Sequence, residues 1–498
     1  MGAVEFVALL LAGVGPVLAL ARWLRLPPTI ALFGAGLAAG LIPGPAPMSV
    51  DPDLAIGLFL PPIIYAGTVR ATPQLLRHVL LPGVITGVAV ALTTILAVAG
   101  SAHWVLLPGL SWTGAVLLGV TASLFDTRLF QEADAHPHVP RTLADALKAR
   151  EMASRIVALT ALALALSTLR QNEAPAFGEA ALTISWQWLG SALAGMAIGR
   201  SVLWLRDRAG PAPIEIAVSL ATPYLGALAA RGLDLSLAVV VIAAALTVSA
   251  ARVNRETGEA RSSAEARISA MAFWEEASLL LSSVLFFLAG LGLPGAVGEL
   301  GSWPVWRAVA AVAGILALVL GIQWVGSLAS TRLPPLRQAL AEEGVSGRMT
   351  AAGVMAWAST RSVIGLVVVL SVPAAWPDGR PFAERELLLV VASGVILGSV
   401  LLQGLTLRRI IQGAKLSGRG QAKREEDRAR QVATDARHEV GKDAVHPEGL
   451  AAERRALLGL REHDELGDEA LRRLLREADL RKRASESDAS PGAAPPNP

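Results

Sequence analysis

Residues 110–133 read LSWTGAVLLGVTASLFDTRLFQEA, an apolar segment that carries a carboxylate, Asp126, about two-thirds of the way along it. A helix that rises 1.5 Å per residue needs roughly 20 apolar residues to cross the hydrocarbon core of a bilayer. Twelve other segments meet the same requirement. The sequence therefore predicts an all-α integral membrane protein with about 13 transmembrane helices. The predicted spans are 3–21, 29–47, 52–69, 78–100, 110–133, 143–168, 185–205, 213–230, 234–251, 268–293, 303–328, 350–374 and 385–411.

The composition agrees with a membrane protein and divides the chain in two. Of 498 residues, 53% are hydrophobic and only 17% are charged, below the roughly 25% that soluble globular proteins carry. We predict a transmembrane domain at 1–413 and a cytosolic charged tail at 414–498, with a linker, an amphipathic helix at about 451–483 and a disordered end. The chain has no Cys, which excludes disulfides and thiolate chemistry, and its net charge of +3 does not indicate a nucleic-acid partner.

Basic residues predict the orientation. Loops after the odd-numbered spans carry most of the Arg and Lys, including Arg128, Arg141 and Lys148 after the fifth span. Short cytoplasmic loops carry this excess of positive charge in membrane proteins. We therefore expect a multi-pass protein of the cell inner (plasma) membrane, with its N-terminus outside and its C-terminus in the cytoplasm. The first segment has no basic start, so a transmembrane helix is favoured over a cleaved signal peptide.

Ionisable residues inside predicted spans are functional candidates, because a charged group at mid-bilayer costs roughly 2.5–3.5 kcal/mol on insertion scales. Asp126, Arg155 and Arg361 fall at one depth, which predicts a cluster in which Asp126 pairs with Arg155, Arg361 or both. A purely structural ion pair explains these residues about as well as a functional site does. Glu151, one turn before Arg155, either joins the cluster or points away. Glu215, Glu275 and Glu276 are expected to have interfacial or packing roles.

Sequence motifs of enzymes and ATP-driven pumps are missing from the chain. No HExxH metal motif, Walker A sequence or Rossmann glycine pattern is present, and no GxSxG elbow with its partner residues lies in the membrane domain. The tail is too short for a nucleotide-binding domain. We therefore predict that the protein is not an enzyme, has no cofactor and no catalytic metal, and that any transport is secondary, driven by an ion gradient.

A series of segments resembles the monovalent cation:proton antiporters of the NhaP and NHE type, the first cation:proton antiporter family. LPPIIYAG at 60–67 is similar to the family's LPPIIFEAG, and VTASLFDT at 120–127 to its SATDP segment. Further matches follow in the family's order along the whole membrane domain. They are VPRTL at 139–143, EMASR at 151–155, SLATPYLGALAA at 219–230, LAVVVIAAAL at 237–246, FWEEASLLLSSVLFFLAGLGL at 273–293, WASTRSVIGLVVVLSVP at 357–373 and LLQGLTLRRI at 401–410.

This resemblance implies a homodimer whose protomers contain inverted repeats and two crossed, interrupted helices, here the fifth and twelfth spans. In the family, a cation and protons compete for carboxylates at the crossing. Asp126 matches the TDP aspartate, flanked by Phe125 and Thr127, while Arg361 matches the arginine of the twelfth span. Glu275 matches the FWE glutamate. The transport site implied is Asp126, Thr127, Ser154, Arg155 and Arg361, with Phe125, Glu151 and Glu275 as accessory residues.

Two positions depart from the family pattern. The glutamate of LPPIIFEAG falls on Ala66, and the family's Asn-Asp pair falls on Ser154 and Arg155. Arg155 stays charged at any working pH, so it cannot replace the lost aspartate as a proton carrier. One carboxylate, Asp126, then faces two guanidinium groups, Arg155 and Arg361. The local charge is therefore net positive, opposite in sign to that of the family's carboxylate-rich site. At an effective dielectric of about 20, a guanidinium at 4 Å opposes a visiting cation by roughly 4 kcal/mol.

Three functional hypotheses follow from these residues. The first is a secondary antiporter that exchanges Na⁺, K⁺ or Li⁺ for H⁺ and serves pH homeostasis. The second is a transporter-derived sensor or scaffold without antiport, in which Asp126 and Arg155 form a structural pair. The third is passage of anions or acids, suggested by the net positive charge at mid-membrane. The family resemblance favours the first hypothesis, and loss of activity in Asp126→Asn would distinguish it from the second.

Overall fold

A computed structural model gives the fold. It describes residues 3–24, 27–42, 55–69, 75–127, 141–171, 177–209, 212–250, 264–301, 303–342, 345, 347–373, 375, 382–414, 421–439, 447–462, 466, 470–471, 473–478 and 480–481. In chain order, the elements up to the first strand are α1 (Ala3–Leu24), α2 (Pro28–Gly40), a π-helical turn (Ala55–Phe59) leading into α3 (Leu60–Thr68), α4 (Leu75–Ser101), a second π-helical turn (Ala102–Leu106), α5 (Trp112–Ser123) and β1 (Phe125–Asp126).

The remaining elements are again mostly helices. They are α6 (Arg141–Gln171), α7 (Phe177–Ala209), α8 (Ala212–Gly232), α9 (Leu237–Ala250), α10 (Ala264–Gly298), α11 (Val305–Ser330), α12 (Pro334–Glu342), α13 (Arg348–Ala358), β2 (Thr360–Arg361), α14 (Ile364–Leu370), α15 (Arg385–Ala414), α16 (Gln421–Glu439) and α17 (Pro447–Glu462).

All of the predicted spans overlap helices, which confirms the all-α membrane architecture. Five described helical segments are long and apolar enough to cross a membrane: Leu81–Leu106, Ile184–Arg206, Ala272–Gly298, Val305–Ser330 and Arg385–Ala414. Four shorter apolar helices accompany them, among them α5. The total of 13 crossings stays a prediction, because several of the predicted spans are divided or short in the structure.

Within the described residues, the twelfth predicted span is an interrupted helix, and the helix of the fifth predicted span ends where the two spans meet; residues 128–133 of the fifth span lie outside the described residues. Helix α5 ends at Ser123, where Leu124 turns extended, and α13 ends at Ala358 before α14 resumes at Ile364. Between the half-helices, β1 and β2 pair in antiparallel fashion, with Phe125 opposite Arg361. Broken helix ends leave backbone groups that lipid cannot satisfy. The crossing satisfies several of them internally, as in the bond of 3.1 Å from the Ser362 amide to the Leu124 carbonyl.

The outer ends of α5 and α14 are tied to the start of α15. The Ser111 amide and hydroxyl donate to the Glu384 carboxylate at 2.7 and 2.5 Å, and Ser111 in turn caps α5 by accepting from the Gly114 amide at 3.1 Å. The next residue, Arg385, donates from Nε to the carbonyl of Val372 just beyond α14, at 3.1 Å. Two adjacent residues, Glu384 and Arg385, therefore hold the start of α5 and the segment that follows α14.

Glycines allow the closest helix packing. A Cβ on Gly36 or Gly40 of α2 would collide with backbone carbonyls of α10, and one on Gly290 would collide with α2 in return. Similarly, a Cβ on Gly87 of α4 would lie 2.7 Å from the Arg150 carbonyl of α6. Small residues at such crossings let membrane helices approach closely, since lipid offers no hydrophobic driving force between them.

The tail contains more helix than expected. The charge-mixed stretch interpreted as a linker forms α16, so that prediction is wrong for 421–439. Its Ala429 and Ala433 are buried against Leu457 of α17 and Leu474. Ion pairs along its other face, such as Glu426 with Arg430 at 2.8 Å, support a helix that composition alone does not indicate. Helix α17 overlaps the start of the predicted amphipathic helix, while residues 482–498 of the predicted disordered end lie outside the described residues.

Candidate functional site

The crossing places Asp126 in the middle of the protein. Asp126 is 7% exposed and lies on β1, where its backbone carbonyl accepts a bond of 3.0 Å from the Thr360 hydroxyl on β2. Its Oδ2 is 3.5 Å from Nη2 of Arg155 on α6. The predicted pairing of Asp126 with Arg155 is therefore present. An ionised group at this depth needs such a partner, because an unpaired buried charge is strongly unfavourable.

Glu151 supplies a second carboxylate to the same cluster. It is fully buried, pairs with Nη2 of Arg155 one turn along α6, and accepts a bond of 2.5 Å from the Thr127 hydroxyl. A further charged group, the ammonium of Lys148, reaches Glu151 from the preceding turn of α6: its Nζ lies 3.2 Å from both Glu151 oxygens. Arg155 thus bridges two carboxylates, and Glu151 joins the site rather than pointing away.

Arg361 takes a different role from the one predicted. Its guanidinium donates to the Ala122 carbonyl at the end of α5 and to the Ser359 carbonyl at the end of α13, the latter at 2.7 Å. Helix C-termini carry partial negative charge, and a cation placed there stabilises it. Arg361 therefore neutralises the carbonyl ends of α5 and α13. Its own amide donates to the Ser399 hydroxyl of α15 at 2.9 Å.

Phe125 and Ser154 help to shape the crossing. The guanidinium carbons of Arg361 and Arg150 lie 5.8 and 5.5 Å from the centroid of the Phe125 ring, within the range of cation–π attraction. Ser154 donates to the Ser123 carbonyl at 3.0 Å, joining α6 to the end of α5. Both residues are buried, and both contact backbone or cations rather than the carboxylate pair.

Ala66, which stands where the family has a glutamate, lies on α3 beside Arg155. Ala66 is buried on α3, and the next residue, Gly67, faces Arg155: a Cβ on Gly67 would lie 2.9 Å from the Arg155 Nη1. Arg155 therefore packs directly against α3. On the other side, the Tyr65 ring packs on Trp274, with centroids 4.8 Å apart.

The structure does not place Glu275, the implied accessory residue, in the cluster. Glu275 and Glu276 of α10 are exposed, whereas the neighbouring Trp274 is buried and donates to the Ser219 hydroxyl at 2.9 Å. Helix periodicity allows only one side of this turn to face the protein, and Trp274 occupies it. Glu215 is buried but pairs with Arg206 at 3.2 Å, as the packing interpretation expected.

The charge count that compared Asp126 alone with two arginines is wrong. Glu151 adds a negative charge, and Arg361 is engaged by helix carbonyls. Among the residues that the structure describes, the groups in direct ionic contact are then Asp126, Glu151, Arg155 and Lys148, whose formal charges cancel. Lys148 was counted with the basic residues of a loop, but the sequence does set it apart: it is the only lysine within residues 1–413.

The cluster suits a monovalent cation and protons. Two carboxylates and the Thr127 hydroxyl provide oxygen atoms, which alkali and other hard cations prefer as ligands. In the part of the chain that the structure describes, no three His, Asp or Glu side chains converge in a way that could hold a tightly bound metal ion. The oxygen atoms of Asp126, Glu151 and Thr127 are therefore the candidate ligands of a cation in this cluster.

Comparison with known proteins gives consistent matches. A family described as sodium/hydrogen exchanger, transmembrane, matches residues 6–413. An uncharacterized Na⁺/H⁺ exchanger of Mycobacterium tuberculosis is 29% identical over 402 residues, covering 79% of this chain and 71% of the relative. The Na⁺/H⁺ antiporter NhaP of Pseudomonas aeruginosa is 26% identical over 426 residues, or 79% of this chain and 94% of the relative.

Among solved structures, the sodium proton antiporter MjNhaP1 from Methanocaldococcus jannaschii shares the fold. Its TM-score is 0.63 at 15% sequence identity, and the match covers 83% of this chain and 98% of that chain. At this identity the likeness concerns the fold alone.

Proposed function

The chain belongs to the sodium/hydrogen exchanger family, and we propose that its exchange of a monovalent cation for H⁺ runs through the carboxylate pair Asp126 and Glu151. The observation that carries this proposal is the bridging of both buried carboxylates by Arg155 at the break of α5. A multi-pass membrane protein of this family needs a site that binds either ion but not both, and a neutral cluster of opposite charges meets that need.

Each side chain has a distinct task in this mechanism. Asp126 and Glu151 bind the cation when ionised and are occupied by protons otherwise. Thr127 adds a neutral oxygen beside Glu151, at 2.5 Å. Arg155 keeps its charge and holds the two carboxylates together, while Arg361 fixes the carbonyl ends of the half-helices that frame the site. Competition between ions follows because a bound proton removes the charge that attracts the cation.

The hypotheses without cation exchange lose their support. Both rested on a single carboxylate facing an excess of guanidinium groups at the crossing. Glu151 restores a second carboxylate, and the relatives reported above are named as Na⁺/H⁺ exchangers and antiporters. The resemblance also supports a homodimer that serves pH homeostasis. The alternation of basic loops supports an inner-membrane protein with its N-terminus outside and its C-terminus in the cytoplasm.

The test uses the full chain in proteoliposomes with an internal pH dye and an imposed pH gradient. Addition of Na⁺, K⁺ or Li⁺ to native protein should move protons with at least one cation. Asp126→Asn and Glu151→Gln should each abolish this response. Glu275→Gln, an identical change at an exposed carboxylate of the same domain, should leave it intact. A response in Asp126→Asn equal to that of native protein would overturn the proposed site.

A further inference from the structure

Lys148 places its ammonium directly against the carboxylate of Glu151. Its ammonium lies 3.2 Å from Oε1 and 3.2 Å from Oε2 of Glu151, so it sits against both oxygens of the carboxylate at once. The side chain is 12% exposed, whereas Glu151 is fully buried. Lys148 is therefore the more exposed member of this ion pair.

The residue type at position 148 is unusual for this chain. Every other positively charged side chain of residues 1–413, histidine apart, is arginine. Arginine presents a rigid planar fork that favours permanent ion pairs, whereas lysine carries a compact charge on a flexible stem. Arg155, the fixed partner, bridges the two carboxylates from within the protein. The one lysine contacts Glu151 through a flexible side chain that is itself partly exposed.

We propose that Lys148 is a tethered competitor of the transported cation, whose ammonium occupies Glu151 in the cation-free protein and is displaced when the cation binds. This inference rests on the proposed function. The charged groups that act on Lys148 are Glu151 and Arg155 of its own helix and Asp126 of the crossing. Displacement moves the ammonium along its stem toward solvent and needs no change in its protonation.

This arrangement has two consequences for exchange. The carboxylates never face the membrane interior unpaired, because the ammonium returns as the cation leaves. The affinity for the cation is lowered by the same competition, so Lys148 sets the concentration at which the site fills. Removing the ammonium should tighten cation binding, whereas a guanidinium that binds both Glu151 oxygens should hinder it.

The experiment compares Lys148→Met and Lys148→Arg with native protein in the same proteoliposomes, at one fixed pH. We expect the apparent KM for Na⁺ to fall at least tenfold in Lys148→Met and to rise or become unmeasurable in Lys148→Arg. Lys423→Met, in the tail helix α16, serves as the matched control and should keep the native KM. Size-exclusion elution and melting temperature establish that each variant is folded.

A second measurement separates this inference from the proposed function. Equilibrium binding of radioactive Na⁺ to purified protein reports affinity without any transport. Tighter binding by Lys148→Met than by native protein supports the tethered competitor, even if native protein moves no protons and the proposed function fails. A Lys148→Met affinity equal to or weaker than the native one overturns the inference while leaving exchange by native protein intact. Equal KM values in the Met and Arg variants overturn it as well.

Discussion

Glu384→Gln should loosen the outer end of helix α5. The carboxylate accepts from the Ser111 amide at 2.7 Å and from the Ser111 hydroxyl at 2.5 Å, and Ser111 caps the helix that leads to Asp126. A Cβ on Gly114 would lie 2.5 Å from Glu384 Oε2, so the carboxylate also packs tightly against the first turn. The glutamine side chain has nearly the same shape, but it is neutral and has a single acceptor oxygen.

The expected loss of stability follows from these two hydrogen bonds. Hydrogen bonds to a charged group contribute about 1.5–3 kcal/mol each, and neutral ones about 0.5–1.5 kcal/mol. The amide keeps one acceptor, and the serine hydroxyl can rotate to accept from the new amide group. We therefore expect a net destabilisation of about 1–3 kcal/mol, which should lower the melting temperature by a few degrees.

The functional effect should fall on turnover rather than on cation affinity. Helix α5 has 12 residues, so roughly 18 Å separate Glu384 from the carboxylate cluster. Direct electrostatic influence on the bound cation is small at that distance. We expect the KM for Na⁺ to stay within about twofold of the native value, while turnover falls because the half-helix is no longer held at its outer end.

Two further variants decide whether this reasoning is correct. Glu384→Asp keeps the charge and should recover part of the lost stability. Glu386→Gln changes a neighbouring carboxylate that pairs with Arg385 at 2.7 Å, a partly exposed pair worth about 0–1 kcal/mol. Equal melting temperatures for Glu384→Gln and native protein would refute the proposed clamp, as would an equal loss in Glu386→Gln.

Other predictions concern the ionic cluster and the helix packing. Arg155→Gln removes a guanidinium that competes with the cation, so the KM for Na⁺ should fall. The binding free energy should become more favourable by up to about 4 kcal/mol, the repulsion between two positive charges about 4 Å apart at an effective dielectric of about 20. Arg206→Gln, which breaks a distant ion pair, should leave that KM unchanged. Gly36→Ala should lower the melting temperature, because its Cβ would collide with the Phe287 carbonyl of α10. Gly34→Ala on the same helix meets open space and should be neutral; equal melting temperatures for the two variants would contradict the packing argument.

The sequence predicted the fold and one half of the site. Apolar length alone located the spans, and the family resemblance predicted that two of them are interrupted and cross at Asp126 and Arg361. The break between α13 and α14 carries no hydropathy signal, because the residues on either side of it are mostly apolar. The pairing of Asp126 with Arg155 was predicted from a common depth. The common depth did not predict that Arg361 donates to the carbonyls of Ala122 and Ser359. Every residue has a backbone carbonyl, so the sequence does not indicate which carbonyls lack a partner.

The contact between Lys148 and Glu151 was predictable from their spacing, but Lys148 was interpreted by its positive charge alone. Lys148, Glu151 and Arg155 are spaced three and four residues apart, so a helix places them on one face. Lys148 was instead counted with the basic residues of a cytoplasmic loop, where positive charge is expected for topological reasons. In the structure Lys148 lies on α6, which begins at Arg141, and the helix places Lys148 on the same face as Glu151.

The replacement of a family carboxylate by Arg155 therefore need not disable exchange. Glu151 lies one helical turn before Arg155, and its carboxylate meets Thr127 beside Asp126. The arginine thus gains two anionic partners in place of the aspartate it displaces, and Lys148 balances the second of them. A cation entering this site must displace a positive charge that the protein already holds there. Affinity in this protein then depends on how readily Lys148 withdraws as well as on the fixed charge of Arg155, and the opposite effects expected for Lys148→Met and Lys148→Arg follow from the withdrawal of Lys148.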